Sequence, residues 1–258
     1  MSAITVTALS VTPVKAMRLR TVDAVEIEEL GAVGDRRFYL IDERGRMVNG
    51  KQHGALMRIV PEYDPGTREL TLTFPDGIPP VSGVVEYGES VTTQFFRRTD
   101  EVPVLRGPWS EAVSEFIGHP LRLVAAPTGV DRGRRGAVSI ISRASLRRLA
   151  EEAGTDGIDA RRFRMLIEID GVGAHEEDRW IDQRVRVGEA LLRMRGHVGR
   201  CLITSRDPDS ARPDLPTLDL LRAYRGEEEA TEPLPFGVHG EVLHGGTVRI
   251  GDPVALEA

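Results

Sequence analysis

Apolar residues in the first hundred positions recur at every second place, in runs short and broken enough to suit strands rather than helices. Ile4, Val6 and Ala8 alternate with Thr5 and Thr7. In residues 69–74 (ELTLTF), Leu70, Leu72 and Phe74 share one face. Residues 38–42 and 46–48 read as the two arms of a hairpin, with Gly45 supplying permissive backbone at its turn. Pro75, Asp76, Gly77, Pro79 and Pro80 then break the chain. No segment before residue 108 carries a helical period, so this half must build its core from sheets.

The second part mixes helices with strands. Ser110 can cap a short helix that runs to Ile117 and stops at Gly118. Ser142 is the expected N-cap of a longer helix, with Leu146 and Leu149 on one face and Gly154 as its stop. Residues 217–225 form a third helix, ended by Gly226. Strand-like runs lie at 121–125, 166–169, 185–187, 191–195 and 247–250, and Gly245-Gly246 reads as a hairpin turn closing a barrel. The polar stretch RRTDEVP sets the expected domain boundary near residue 98, giving units 1–98 and 99–258. The acidic run 227–232 reads as a solvated loop; the basic run 132–136 reads as a solvated loop or, less simply, a cationic lip over an anionic ligand; and HEED at 175–178 reads as a turn before Trp180 rather than as acid–base groups.

Composition narrows the function classes. Lys plus Arg is 34 against 40 for Asp plus Glu, a formal charge of -6, which argues against a nucleic-acid binder. No apolar run approaches the ~18 residues of a membrane span, and the first residues lack the pattern of a signal peptide. One cysteine excludes an internal disulfide and a cysteine-ligated iron–sulfur cluster, and fits a reducing, cytoplasmic setting. There is no GxxxxGK[ST], GxSxG, HExxH, GxGxxG or CxxC. The lone thiol, Cys201, stands among Arg193, Arg195, Arg200 and Arg206. Cationic neighbours favour the thiolate, the form that attacks or binds metal. The plainer reading is a buried strand cysteine with the arginines on the other face. His197 is the one histidine near Cys201 in sequence that could act as a base beside it.

GRCLITSRDPDS, around Cys201, resembles the cysteine motif of the MOSC family, the molybdenum cofactor sulfurase C-terminal domain. TPVKAMRL resembles the PVKS segment of the N-terminal β-barrel that precedes this domain, and GAVGDRRFYLIDERGRMV its hairpin. SRASL, DARRFR, AHEEDRW and FGVHGEVLHGGTVRIGDPV follow in family order. The resemblance runs from Ile4 to Val254 and is to the amidoxime-reducing type and its bacterial relatives.

The resemblance implies a mainly β (α+β) protein: an N-terminal β-barrel-like domain, then a MOSC β-barrel with peripheral helices. It implies a molybdenum cofactor, with molybdenum held by a pterin dithiolene and Cys201 as a further metal ligand at the catalytic centre. Lys15, Arg36 and Arg164 map to cofactor-binding positions. Each also has a simpler role: Lys15 as a solvated strand end, Arg36 pairing with Asp35 or Glu28, Arg164 capping near Ser142. Four positions depart from the family: Ala16 replaces a serine, Met165 a proline, Leu166 an asparagine, and Val198 a second cysteine. The implied activity is reduction of N-hydroxylated or other N-oxygenated small molecules, with electrons from a separate redox protein. A non-catalytic cofactor carrier or sulfur-handling module is the alternative. No nucleic-acid or membrane partner is expected.

Overall fold

A computed structural model describes residues 3–96, 98–126 and 132–257. The chain opens with β1 (Thr5–Val11) and β2 (Arg20–Val22), then β3 (Ala24–Glu28) and β4 (Gly31–Ala32). The expected hairpin follows as β5 (Phe38–Ile41) and β6 (Met47–Val48), with Gly45 at φ 72° in its turn. A meander, β7 (Val60–Asp64), β8 (Glu69–Thr73) and β9 (Val81–Val84), makes a sheet of its own. The long hairpin of β10 (Glu86–Phe95) and β11 (Arg98–Arg106) leads to α1 (Trp109–Ile117) and β12 (Arg122–Ala125). β10, β11, β12, β5 and β6 form one five-stranded sheet.

The second half contributes β13 (Val138–Ser142), α2 (Arg143–Ala153), β14 (Ile167–Asp170), β15 (Arg184–Val187) and β16 (Ala190–Gly199). It ends with α3 (Thr217–Arg225), β17 (Pro235–His244), β18 (Gly246–Arg249) and β19 (Val254–Glu257). Its main sheet has eight strands in the order β19-β15-β16-β17-β13-β14-β1-β2. β13 and β14 are parallel, which requires a crossover, and α2 supplies it. β1 pairs antiparallel with β14, Thr5 opposite Asp170, so the first strand of the chain completes the sheet of the second half. The turn near residue 98 lies inside the β10–β11 hairpin.

Helix ends mostly follow the local chemistry. The Ser142 hydroxyl accepts from the Ser145 amide, and Gly154 ends α2 in the left-handed region. Ser110 does not cap α1: Pro108 holds that place, and Ser110 Oγ instead accepts from the Leu123 amide at 3.0 Å. The Gly245-Gly246 pair is not a hairpin turn either. β18 leaves its neighbour β17 and pairs with β3, in a sheet with β4. A side chain at Gly245 would meet the Ile27 carbonyl at 2.5 Å, so glycine permits this crossing between sheets.

Two principal cores result. One lies between the eight-stranded sheet and the β18-β3-β4 sheet and contains Val6, Leu9, Ile27, Ile169, Leu192 and Val248. The other fills the N-terminal half around Phe38, Leu40, Leu70, Leu72 and Trp109. The chain is mainly strand, as expected, but the sheets stay open. Closure needs the outer strands of a sheet to pair, and among the described residues β19 and β2, the ends of the large sheet, do not.

Candidate cofactor and substrate cavity

Three turns bring the predicted cofactor-binding residues together. After β1 the chain folds tightly, with the Lys15 amide bonded to the Phe38 carbonyl at 2.9 Å. Lys15 Nζ stands 5.5 Å from the ring centres of both Phe95 and Phe96. Arg36 precedes β5, and its amide donates to the Thr12 carbonyl at 2.7 Å. Its guanidinium pairs with Asp35, as the simpler reading allowed, and also donates to the Arg164 carbonyl at 2.8 Å. Asp35 is itself buried and accepts from the Thr12 amide at 2.8 Å. Arg164 ends a short 3-10 turn, Ala160–Phe163, and donates from Nη2 to the Met17 carbonyl at 2.7 Å. It therefore ties the second half to the first and does not cap near Ser142.

Ala16, Arg36 and Arg164 all have positive φ, at 74°, 47° and 55°. Such backbone costs ~1 kcal/mol or more for a non-glycine residue and collects at functional sites. Here it turns the three side chains and their neighbours toward one cavity of about 430 Å³, within the usual range of small-molecule sites.

Cys201 lines the same cavity. It follows β16 in extended backbone (φ -137°, ψ 172°), and its carbonyl accepts from the Thr204 amide and hydroxyl, both at 3.0 Å. Its thiol is free and partly exposed, so the buried-cysteine reading is not met. Gly50, in the loop after β6, sits directly on the Ile203 side chain, where a Cβ would collide. The cysteine turn is thus seated against the N-terminal half.

Of the arginines flanking Cys201 in sequence, Arg200 lines the cavity wall. It donates to the Phe163 carbonyl at 2.8 Å and from Nε to the Phe236 carbonyl at 2.9 Å. Burial, with Arg132 nearby, lowers its pKa. Arg195 faces elsewhere and pairs with Glu241 at 2.6 Å. His197 is buried, its Nδ1 accepting from the Thr231 amide at 3.2 Å, and it does not line the cavity. It is therefore not placed as a base for Cys201.

Sequence reading missed part of the wall. Asn49, Lys51, Ser139, Glu232 and His239 all line the cavity. Glu232, read as part of a solvated acidic run, accepts from the Gly199 amide at 2.8 Å and pairs with Arg132 at 2.6 Å. Arg132, from the basic run read as a solvated loop or a cationic lip, lines the same wall. No local pattern marks their pairing, because they meet across a hundred positions. The HEED stretch is a turn, Glu176–Trp180, as expected.

Among the described residues the wall carries six basic side chains, Lys15, Arg36, Lys51, Arg132, Arg164 and Arg200, against two acidic ones, Asp35 and Glu232. Positive charge with a soft sulfur donor suits an anionic ligand that carries a thiophilic metal. The residues present fit a phosphate-bearing molybdenum cofactor.

The MOSC domain family matches residues 127–255, and the MOSC N-terminal beta barrel domain matches residues 3–117. The chain belongs to the MOSC family. Across nearly its whole length this MOSC protein is similar to mitochondrial amidoxime-reducing component 1. The mouse protein is 25% identical over 98% of this chain and 82% of its own length. The Xenopus laevis protein is 26% identical over 96% and 81%. A shorter stretch, 36% of this chain and 29% of the relative, is 35% identical to human mitochondrial amidoxime reducing component 2. Among solved structures, the YUAD protein of Bacillus subtilis has a TM-score of 0.50 at 13% identity. It covers 98% of this chain and 94% of that one, a likeness of fold. Among the described residues no helix of this MOSC protein is long and apolar enough to cross a membrane.

Proposed function

We propose that this protein is a molybdenum cofactor-dependent reductase of N-hydroxylated or other N-oxygenated small molecules. The observation that carries the reading is the Cys201 thiol on one cavity wall with Lys15, Arg36 and Arg164. Cys201 would hold the metal as thiolate. Lys15, Arg36 and Arg164 would hold the phosphate and the polar pterin. When bound, the cofactor supplies two-electron chemistry at an oxygen atom. For a hydroxylamine the balance is R–NHOH plus two electrons and two protons, giving R–NH2 and water. The electrons come from a separate redox protein. The amidoxime-reducing relatives support this substrate class.

This chain's own residues fix the geometry. Asp35 orients the Arg36 guanidinium, while Arg36 and Arg164 brace two backbone carbonyls across the cavity. Ala16 and Leu166 put apolar surface where the family has hydroxyl and amide groups, and this favours a second reading as a cofactor carrier with weaker retention.

One experiment separates the readings. Wild type and Cys201→Ser are purified from a host that makes the cofactor, and molybdenum and pterin are measured per chain. Chemically reduced protein is then offered a hydroxylamine. Near-stoichiometric pterin and metal with turnover, and loss of metal and turnover in Cys201→Ser, is the expected result. Full content without turnover, with easy transfer to an apo-enzyme, would establish the carrier. Neither metal nor pterin in wild type overturns both.

A further inference from the structure

The proposed reduction consumes two protons, and the cavity wall holds few groups that can give one up near neutral pH. Lysine and arginine keep their protons there. Asp35 and Glu232 are each held as carboxylates by an arginine and a backbone amide. Cys201 holds the metal in the proposed reading. Histidine is the side chain whose ordinary titration falls in that range. Among the described residues, His239 is the one histidine on the wall.

The fold sets this ring in one orientation. His239 sits on β17, paired with Ser139 of β13 on one side and Gly196 of β16 on the other. Its Nδ1 lies 3.3 Å from the Arg135 carbonyl. A carbonyl oxygen can only accept, so Nδ1 carries the proton of the neutral ring and Nε2 is the basic nitrogen. Nε2 lies over bare backbone: a Cβ at Gly196 would stand 3.1 Å from it. It makes no hydrogen bond to any described residue, and Glu232 Oε1 stands 3.9 Å away. The charged groups facing the ring are Arg132, Arg135 and Glu232. The strands on either side oppose it with uncharged Ser139 and Gly196. Burial, then Arg132, lower its pKa below the ordinary histidine value, against the Arg135 carbonyl and Glu232, which raise it. Once protonated at Nε2, the ring is therefore a ready donor.

We propose that His239 is a catalytic residue of this cavity, delivering a proton from Nε2 to the oxygen that leaves the substrate. The proposal rests on the reductase reading above. As the N–O bond of R–NHOH breaks, Nε2–H passes its proton to the departing oxygen. Two electrons from the redox protein and a second proton from solvent complete R–NH2 and water. The ring is left neutral, with Nδ1–H still bonded to the Arg135 carbonyl, and takes its next proton from solvent at Nε2. Between turnovers the fixed carboxylate of Glu232 steadies the imidazolium.

The test compares wild type with His239→Asn as the molybdenum-loaded full chain, chemically reduced and offered N-phenylhydroxylamine from about pH 5 to 8. Asparagine keeps an N–H donor near the place of Nδ1 and removes the nitrogen that titrates. In the variant kcat should fall about a hundredfold or more, the scale of general acid catalysis. KM and the content of molybdenum and pterin should not change. Wild-type kcat should climb as the pH falls and level off below the pKa of His239, a limb that the variant lacks and that a merely structural histidine would not supply. A second readout needs neither cofactor nor turnover: the ring nitrogen resonances of the wild-type chain should show the neutral ring protonated on Nδ1. An unchanged pH profile in His239→Asn, or a neutral ring protonated on Nε2, would overturn the proposal alone. So would loss of pterin in the variant, which would make His239 a cofactor contact. Loaded wild type without turnover overturns the reductase reading and this proposal with it.

Discussion

Arg200 stands next to the thiol yet acts first as a brace. Its guanidinium bonds to the Phe163 and Phe236 carbonyls and lies 5.3 Å from the Phe163 ring centre. Replacing it with methionine keeps apolar bulk but leaves buried carbonyls unpaired. Arg200→Met is therefore expected to lower stability by about 2–4 kcal/mol, read from urea unfolding. His175 offers a test in pH. Burial, then Arg225 and Arg148, push its pKa down to about 3 from an ordinary 6.5. The unfolded chain therefore takes up this proton near pH 6.5, while the folded chain resists until about 3. Its contribution is present above pH 6.5 and is lost on acidification, by at most about 2 kcal/mol at pH 5. His175→Asn, which tolerates the left-handed backbone there (φ 60°), should flatten that part of the stability–pH curve. At this scale Cys201 was legible because its neighbours form a recognisable string. Glu232 was not, because a carboxylate among other carboxylates looks solvated until its distant partner is known.

The short segments facing the cavity are held in constrained backbone. Four non-glycine residues in left-handed backbone, Ala16, Arg36, Phe96 and Arg164, line the cavity, and bare glycines on β16 admit the segment that carries Glu232. Gly199→Ala would press a methyl group against the Pro233 carbonyl and the Glu232 side chain. It should cost about 1–3 kcal/mol, seen as a lower urea midpoint at unchanged slope. Strands and helices themselves could be read from period and caps: α2 begins at Ser142 and stops at Gly154 as its sequence requires. Their partners could not. The pairing of β18 with β3 depends on contacts more than two hundred residues apart, which no local pattern encodes.

Across the whole molecule the two halves interlock. β1 lies against β14, β18 against β3, and Arg164 donates to the Met17 carbonyl. Residues 99–258 expressed alone would lack β1 and β3, exposing the apolar surface that Val6, Leu9 and Ile27 cover. That fragment should give neither a cooperative thermal transition nor dispersed amide resonances, whereas the full chain gives both. The same interlocking constrains biosynthesis. A ribosome delivers Thr5 long before Asp170, its partner across the sheet. The emerging N-terminal strand can pair early with β2, but its other hydrogen-bonding edge stays open to unrelated strands while most of the chain is made. Production of this protein should therefore depend on elongation rate and on chaperones that shield nascent chains.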